Sequence, residues 1–514
     1  MKLALVLAGF ATLSLVAADA PQWGQAWTRN MVSEEIGLPA TFDPDTGKNV
    51  KWIVPLGNET HSTPVIADGR IFIGTNNARP RDPRITDDRG VLLCLDEKDG
   101  SFLWQLAVPK RIEDKYFDWP NTGMSSSPTV EGDRVYIVDN RHTVLCLDVR
   151  GMANGNDGDF QDEGAYGTPH QAGPPEFTPA ITPRADAAFQ PGDKDADILW
   201  AFDMPAQAGI WPHDGAFSSI LVHGDYLYIN TSTGVDNSHQ VIRTPKAPSL
   251  IVLDKKTGEL VARDEENIAP NIFHATWSSP SLATIDGVEQ IIFGGGDGVV
   301  RGFQPVRARK LRGEVATLKL LWRIDFDPEA PKDDIHRFLN NKRQGPSNIY
   351  GMPVVSGDRL FVAGGGDVFW GKNEAWMKCY RLGGEGDLTS RAWQWSYPLD
   401  RHTLSTPAVH DGLVYIADAG RKIHCVDAAT GQGLWVQDTK GDFWSSPLVA
   451  DGKVYLGSRK GDFWILKAGR EKEVLAEVDL ERPISATAVA ANGVIYIATM
   501  DRLLAIAADA DSTR

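Results

Sequence analysis

The chain is poor in cysteine, in positive charge and in long apolar runs, and each shortage excludes something. Only four cysteines occur in 514 residues, Cys94, Cys146, Cys379 and Cys425, and no two are adjacent. Lysine and arginine number 52 against 68 aspartate and glutamate, a formal net charge of −16. Nucleic acids and anionic membrane surfaces call for clustered cations, so the balance argues against both as partners. Beyond the first twenty residues no segment is apolar enough to span a bilayer. No Ser-His-Asp spacing and no His-x-x-x-His pair occurs, so the linear pattern supports neither a hydrolase nor a zinc enzyme.

Residues 1–20 read as a secretory signal, with Lys2, an apolar stretch from Leu3 to Val16, and Ala18-Asp19-Ala20 as the cleavage site before Pro21. No cysteine follows that site, so a lipid anchor is not indicated and the expected location is the periplasm or the exterior. Residues 21–50 form a lead-in and residues 508–514 a tail.

What the chain has in quantity is turn formers and aromatics: 50 glycines, 31 prolines and 16 tryptophans. They fall into a repeat. The unit from Ser405 to Trp435, STPAVHDGLVYIADAGRKIHCVDAATGQGLW, parses as four strands joined by an Asp-Gly turn, a loop and a Thr-Gly turn. Its opening recurs from His61, Ser126, Ser218, Ser278, Met352, Ser445 and Ser485, each time followed by a Gly-containing turn and a second strand. Eight copies predict an all-β, eight-bladed β-propeller of four-stranded antiparallel blades over residues 51–507. The eighth copy lacks a fourth strand, and Lys51-Trp52-Ile53-Val54 has the Trp-led character to supply it and close the ring. Every cysteine occupies the same place on a third strand, and equivalent places in neighbouring blades lie about 10 Å apart. Buried, unpaired thiols are therefore expected rather than disulfides.

A propeller carries its loops between strands two and three, and between blades, on one face. Seven long insertions belong there, from Thr75, Lys110, Met204, Thr231, Glu265, Ala330 and Gly364, and they hold most of the histidines and several tryptophans. A functional site is expected on that face near the central funnel. The candidate ligand-binding residues are Trp211, His213, Asp214, Asp236, Asn237, His239, His274, Trp277, Asp367, Trp370, Lys372, His402 and Trp444. An Asp-oriented imidazole in Trp211-Pro212-His213-Asp214 suits a base or a metal ligand, or else a packed histidine beside a turn. Asp236, Asn237 and His239 could hold a cation or sugar hydroxyls, or bond within their loop. His274, Trp277, His402 and Trp444 precede channel-lining strands, and Trp370 with Lys372 suits an anionic or aromatic ligand. On the opposite face, Gly151 to Asp197 is an acidic insertion without the EF-hand pattern, read as a solvated loop. Arg307, Arg309, Lys310 and Arg312 form a small basic cluster, read as a solvated loop too.

With DAATGQGLW from Asp427 and DKKTGEL from Asp254, the repeat resembles the tryptophan-docking repeat of quinoproteins, from Trp52 to Ile506. That resemblance implies pyrroloquinoline quinone and calcium as cofactors; the residues by themselves name none. It covers equally the cofactor-free propeller of the outer-membrane assembly factor. Quinoprotein alcohol dehydrogenases place an adjacent Cys-Cys disulfide over the cofactor, and no such pair exists here. Ser232 and Thr233 stand where their Gly-Asn metal ligand would be, and His274 where an Asp-rich segment would be. The expectation is a monomeric propeller that binds a small molecule, glycan or protein on the loop-rich face. The alternatives are a divergent quinone- or metal-dependent oxidoreductase and, more remotely, an assembly scaffold.

Overall fold

The computed structural model describes residues 18–111, 117–169, 188–307 and 313–508. Residues 1–17 of the stretch read as a signal, residues 170–187 of the acidic insertion, and Arg309, Lys310 and Arg312 lie outside the described residues. Eight sheets, each built on four antiparallel strands, form the blades of a propeller. Blade one comprises Val65–Ala67, Arg70–Asn76, Arg89–Asp96 and Phe102–Pro109; blade six comprises Ala408–His410, Leu413–Asp418, Lys422–Asp427 and Gly433–Asp438. Asp411 and Gly412 between the first two strands of blade six take φ of 48° and 73°, the left-handed pair a two-residue hairpin needs. Blade eight is completed by Val50–Pro55, antiparallel to Arg502–Ile506, with Ile53 opposite Leu504. Three blades carry more than the expected four strands. Val32–Ser33, Ala316–Thr317 and Gly386–Asp387 add short parallel edges to blades seven, three and four.

The Ser or Thr that recurs at the blade openings, in every blade except blade five, where Met352 stands, has a physical reason. Around the channel, the amide of Thr63 donates to Ser127 Oγ (3.0 Å), Ser219 to Ser279 Oγ (2.8 Å), and Met352 to Thr406 Oγ1 (2.9 Å). The belt continues from Thr406 to Ser446 Oγ (2.9 Å), Ser446 to Thr487 Oγ1 (3.0 Å) and Thr487 back to Thr63 Oγ1 (3.1 Å). The two remaining joints are closed by Thr129 Oγ1 donating to the Ile220 carbonyl and by Ser281 Oγ donating to that of Pro353. Each blade is thereby bonded to the next at its innermost strand.

The blades are joined at the periphery by tryptophan. Trp52, Trp104, Trp200, Trp395 and Trp435, all on fourth strands, donate Nε1–H to carbonyls of Glu97, Val149, Lys255, Ala428 and Gly469 in the next blade. The indole lies flat over the third-to-fourth turn of that neighbour. A Cβ on Gly258 would stand 2.5 Å from Trp200, and one on Gly431 would stand 2.6 Å from Trp395. With positive φ at both positions as well, only glycine serves there. All four cysteines are buried and free. Burial pushes the thiols up, to about 12 for Cys146, Cys379 and Cys425, so they act as inert core residues.

The lead-in is more than a linker. Its Pro21 carbonyl accepts from Val130 of blade two, Trp27 from Leu282 of blade four, and Met31 from Val449 of blade seven. Asn30 exchanges hydrogen bonds with Val409 of blade six. Arg29 is fully buried, its guanidinium donating to the carbonyls of Pro280, Trp23 and Ser219. Burial lowers it to about 9. The segment therefore crosses the end of the channel opposite the long loops and closes it.

Candidate functional site

Two residues ahead of each belt position stands a side chain aimed into the channel. The eight are His61, Ser125, Phe217, Trp277, Tyr350, Leu404, Trp444 and Ser485, and all line one cavity of about 490 Å³. Five of them carry rings. Trp23 of the lead-in also lines this cavity, while Trp119, His239, Phe369 and Trp370 come down from the long loops. The space is a funnel, closed at one end and rimmed by loops at the other.

One wall is an acid-imidazole network. His274 Nδ1 lies 3.0 Å from Asp367 Oδ2, to which the buried Tyr350 hydroxyl also donates. The other oxygen, Asp367 Oδ1, accepts the amides of Phe369 (2.9 Å) and Trp370 (2.6 Å), which folds the Gly-rich loop back onto the site. Burial acts to raise the Asp367 carboxyl, but His274 and Tyr350 outweigh it and hold it far below the usual carboxylate range. Burial likewise acts to depress His274, yet Asp367 and Asp214 hold that imidazole above its ordinary value. His213 goes the other way, depressed by burial and then by His274 and His239. Its Nδ1 meets the Val235 carbonyl at 2.7 Å. Asp214, with 26% of its side chain exposed, is pushed up to about 6 by burial.

The opposite wall is a cation-aromatic stack. His61 stacks on Trp444 with ring centroids 5.7 Å apart, and the Arg459 guanidinium lies 4.0 Å from the Trp444 ring centre. Glu59 receives His61 Nε2 at 3.1 Å and Thr122 at 3.3 Å. Burial acts to raise this carboxyl, but His61 outweighs it and leaves it below its ordinary value.

Of the residues singled out from sequence, Asp214, His239, His274, Trp277, Trp370 and Trp444 line the cavity. His213 and Asp367 stand directly behind them. His402 stacks on Tyr350 at 5.2 Å, one layer further out. Asp236 is engaged within its loop by Ser238 and Arg243, and Asn237 bonds His239 through its backbone. Lys372 forms a buried ion pair with Asp327 at 2.7 Å, and Trp211 packs edge-on against Phe117 under Arg243. Glu59, His61, Phe217, Tyr350, Phe369 and Arg459 were not anticipated. His61, Phe217 and Tyr350 were detectable, because they share the register of Trp277 and Trp444 relative to the blade openers.

His402 supplies a pH prediction. Burial lowers its imidazole to about 4, against about 6.5 in an unfolded chain. The unfolded state then binds the extra proton between those values, so this contribution to stability is intact above pH 6.5 and lost as the pH falls towards 4. His402→Phe, which keeps the ring over Tyr350, should lose less stability across that window, by at most about 1.4 kcal/mol per pH unit. Urea unfolding of both proteins at pH 6.5 and 5 measures the difference.

Comparison with known proteins places the chain. A family model described as outer membrane protein assembly factor BamB matches residues 15–265 and 386–472. The quinohemoprotein alcohol dehydrogenase of Comamonas testosteroni is 33% identical over 93 residues, which is 16% of this chain and 13% of that protein. The chain thus matches only a small part of that relative's length. The crystal structure of BamB from Moraxella catarrhalis superposes over 90% of this chain and 98% of its own, with a TM-score of 0.50 and 11% identity. The solved Comamonas testosteroni dehydrogenase covers 97% of this chain and 82% of its own at a TM-score of 0.44 and 14% identity. Family match, blade count and tryptophan docking agree, and the chain belongs to the pyrroloquinoline-quinone-repeat propeller family that includes BamB.

Proposed function

We propose that this propeller binds a small organic molecule with a flat body in its central cavity, outside the cytoplasm. The observation that carries the reading is the ring-bearing collar of His61, Phe217, Trp277, Tyr350 and Trp444 around a cavity closed at one end. Its volume of about 490 Å³ lies within the range of small-molecule pockets, and recessed aromatic walls suit sugar or aromatic rings better than a protein surface. An extracytoplasmic setting is supported by the signal-like start of the sequence and by the outer-membrane description of the family model. No helix among the described residues is long and apolar enough to cross a membrane.

The family raises pyrroloquinoline quinone with calcium, and the residues present do not fit it. That cofactor is a flat tricarboxylate. Arg459 is the single lysine or arginine on the cavity wall among the described residues, and it already lies over Trp444 and bonds Ser485 Oγ at 2.9 Å. Glu59 and Asp214 add two carboxylates to the same cavity wall, which would repel a tricarboxylate. Calcium takes about six to eight oxygen ligands, whereas the ligand groups that converge at this wall are three imidazoles.

The test is a tryptophan-fluorescence titration of the mature chain with nitrophenyl glycosides, simple phenols and pyrroloquinoline quinone with calcium. Saturable quenching by a glycoside or phenol is expected, weakened at least tenfold in both Trp277→Ala and Trp444→Ala. Quenching that does not saturate, or that survives both substitutions, refutes the cavity as the binding site. Tight calcium-dependent binding of the quinone would instead favour the oxidoreductase reading and call for a dye-linked activity screen.

A further inference from the structure

Three imidazoles from three different loops converge at the cavity wall: His213 between blades two and three, His239 within blade three, and His274 between blades three and four. All three are buried, and one ring nitrogen of each lies within 4.8 Å of those of the other two. Each ring is also oriented from behind. His213 Nδ1 meets the Val235 carbonyl, His274 Nδ1 meets Asp367, and His239 bonds the Asn237 backbone.

The orienting contacts turn both His213 Nε2 and His274 Nε2 to the Asp214 carboxylate, each 3.6 Å from one of its oxygens. That distance is too long for a hydrogen bond, and His274 Nε2 is buried with no hydrogen-bond partner among the described residues. A histidine cluster held together by hydrogen bonding alone would close that gap to about 3 Å. A cation placed among the three ring nitrogens gives His274 Nε2 the partner it lacks and stands beside the Asp214 carboxylate that faces two of the rings.

We propose that His213, His239 and His274 bind one divalent transition-metal ion, with Asp214 as a fourth ligand and an open position facing the cavity. Three imidazoles and a carboxylate form a donor set for zinc, copper, nickel or iron rather than for calcium. The Asp367–His274 contact is then the outer carboxylate that fixes ring orientation and ligand basicity. Zinc–nitrogen bonds of about 2.0–2.1 Å put tetrahedral ligand nitrogens about 3.4 Å apart, so a shift of less than about 1 Å per ring closes the site. His239, His274 and Asp214 all line the cavity, so a molecule bound there would meet the open position. The inference goes beyond the small-molecule reading, because metal binding is measured on the chain alone.

The experiment titrates the full mature chain, stripped with a chelator, with Zn²⁺ alone by calorimetry, and then with Co²⁺ to read the ligand field by visible absorption. One ion per chain is expected, with a nitrogen-rich cobalt spectrum. His274→Ala should abolish the site, and His239→Gln should weaken it at least tenfold. His410→Ala, on the opposite face, should leave it unchanged. Should the buried His274 variant not fold, the loop variant His239→Gln decides alone. No saturable binding at high micromolar metal overturns the proposal, leaving an ion-paired imidazole network. So does a site that keeps its affinity in His239→Gln, which would place the ion elsewhere, such as at Asp148, Asp157 and Asp197. Failure of the organic-ligand titration leaves this result untouched, so the two readings fail separately.

Discussion

Trp104→Ala is expected to lower the unfolding free energy by about 3–5 kcal/mol, the usual range for truncating a buried tryptophan. The side chain is 2% exposed, packs in the core shared by blades one and two, and donates to the Val149 carbonyl at 3.1 Å. Its removal leaves a cavity between blades and a buried carbonyl without its donor, so transfer, cavity and hydrogen-bond losses fall on the same joint. The comparison is Trp393→Ala. Trp393 is also on a fourth strand but is 52% exposed, and its loss should change stability by less than about 0.5 kcal/mol. Urea unfolding followed by far-ultraviolet dichroism checks both. Equal effects would mean that the peripheral indoles do not hold the ring together.

The second large effect is expected at Asp367. Asp367→Ala leaves His274 Nδ1, the Tyr350 hydroxyl and the amides of Phe369 and Trp370 without their acceptor. Breaking a buried charged pair from one side costs about 3–5 kcal/mol, because the remaining partner stays buried and uncompensated. Asp367→Asn keeps an amide oxygen for the two loop amides but loses the charge opposite His274. Its expected cost is smaller, about 1–3 kcal/mol. Hydrogen exchange should show the loop from 366 to 373 opening in the alanine variant and remaining protected in the asparagine variant. Trp370 rests 4.9 Å from His239, so the same opening should change tryptophan emission. Unchanged protection in Asp367→Ala would show that the loop is held by something other than this carboxylate.

The architecture was legible in the sequence because it is built from local rules applied eight times. An Asp-Gly pair between two alternating strands makes a tight hairpin, and alternating apolar residues give a strand two faces. The Ser or Thr that marked all blades but the fifth became a hydrogen-bonded belt, and the Thr-Gly turns became seats for tryptophan. Ring closure followed from counting, since one Trp-led strand was missing at one end of the repeat and one stood spare at the other. The thiols followed from register alone.

The cavity-lining residues were legible in two ways, by the repeated register and, for Asp214, His239, His274 and Trp370, by their place in the long loops. Trp277 and Trp444 stood out because they precede blade openers, and the same register points to His61, Phe217 and Tyr350. Lys372 and Asp236 were chemically plausible, but each lies beside a partner of opposite charge that the linear order did not reveal. The lead-in, with no strand pattern, gave no sign that Arg29 would be buried across the channel. The acidic insertion, read as solvated, buries Glu163 at 5% exposure, where it accepts the Ile198 amide.

By itself the sequence determined the fold class, the eight blades, the closing strand and the face that carries the long loops. Each of these depends on neighbours a few residues apart or on a repeat that can be counted. Only the tertiary structure decided that His213, His239 and His274 meet, that Asp214 faces two of them, and that Asp367 and Tyr350 stand behind. Those groups come from five loops of different lengths, and closing the ring brings the loops together at one end of the channel. No linear spacing encodes that encounter, because it depends on how far each blade turns the chain before releasing the next loop.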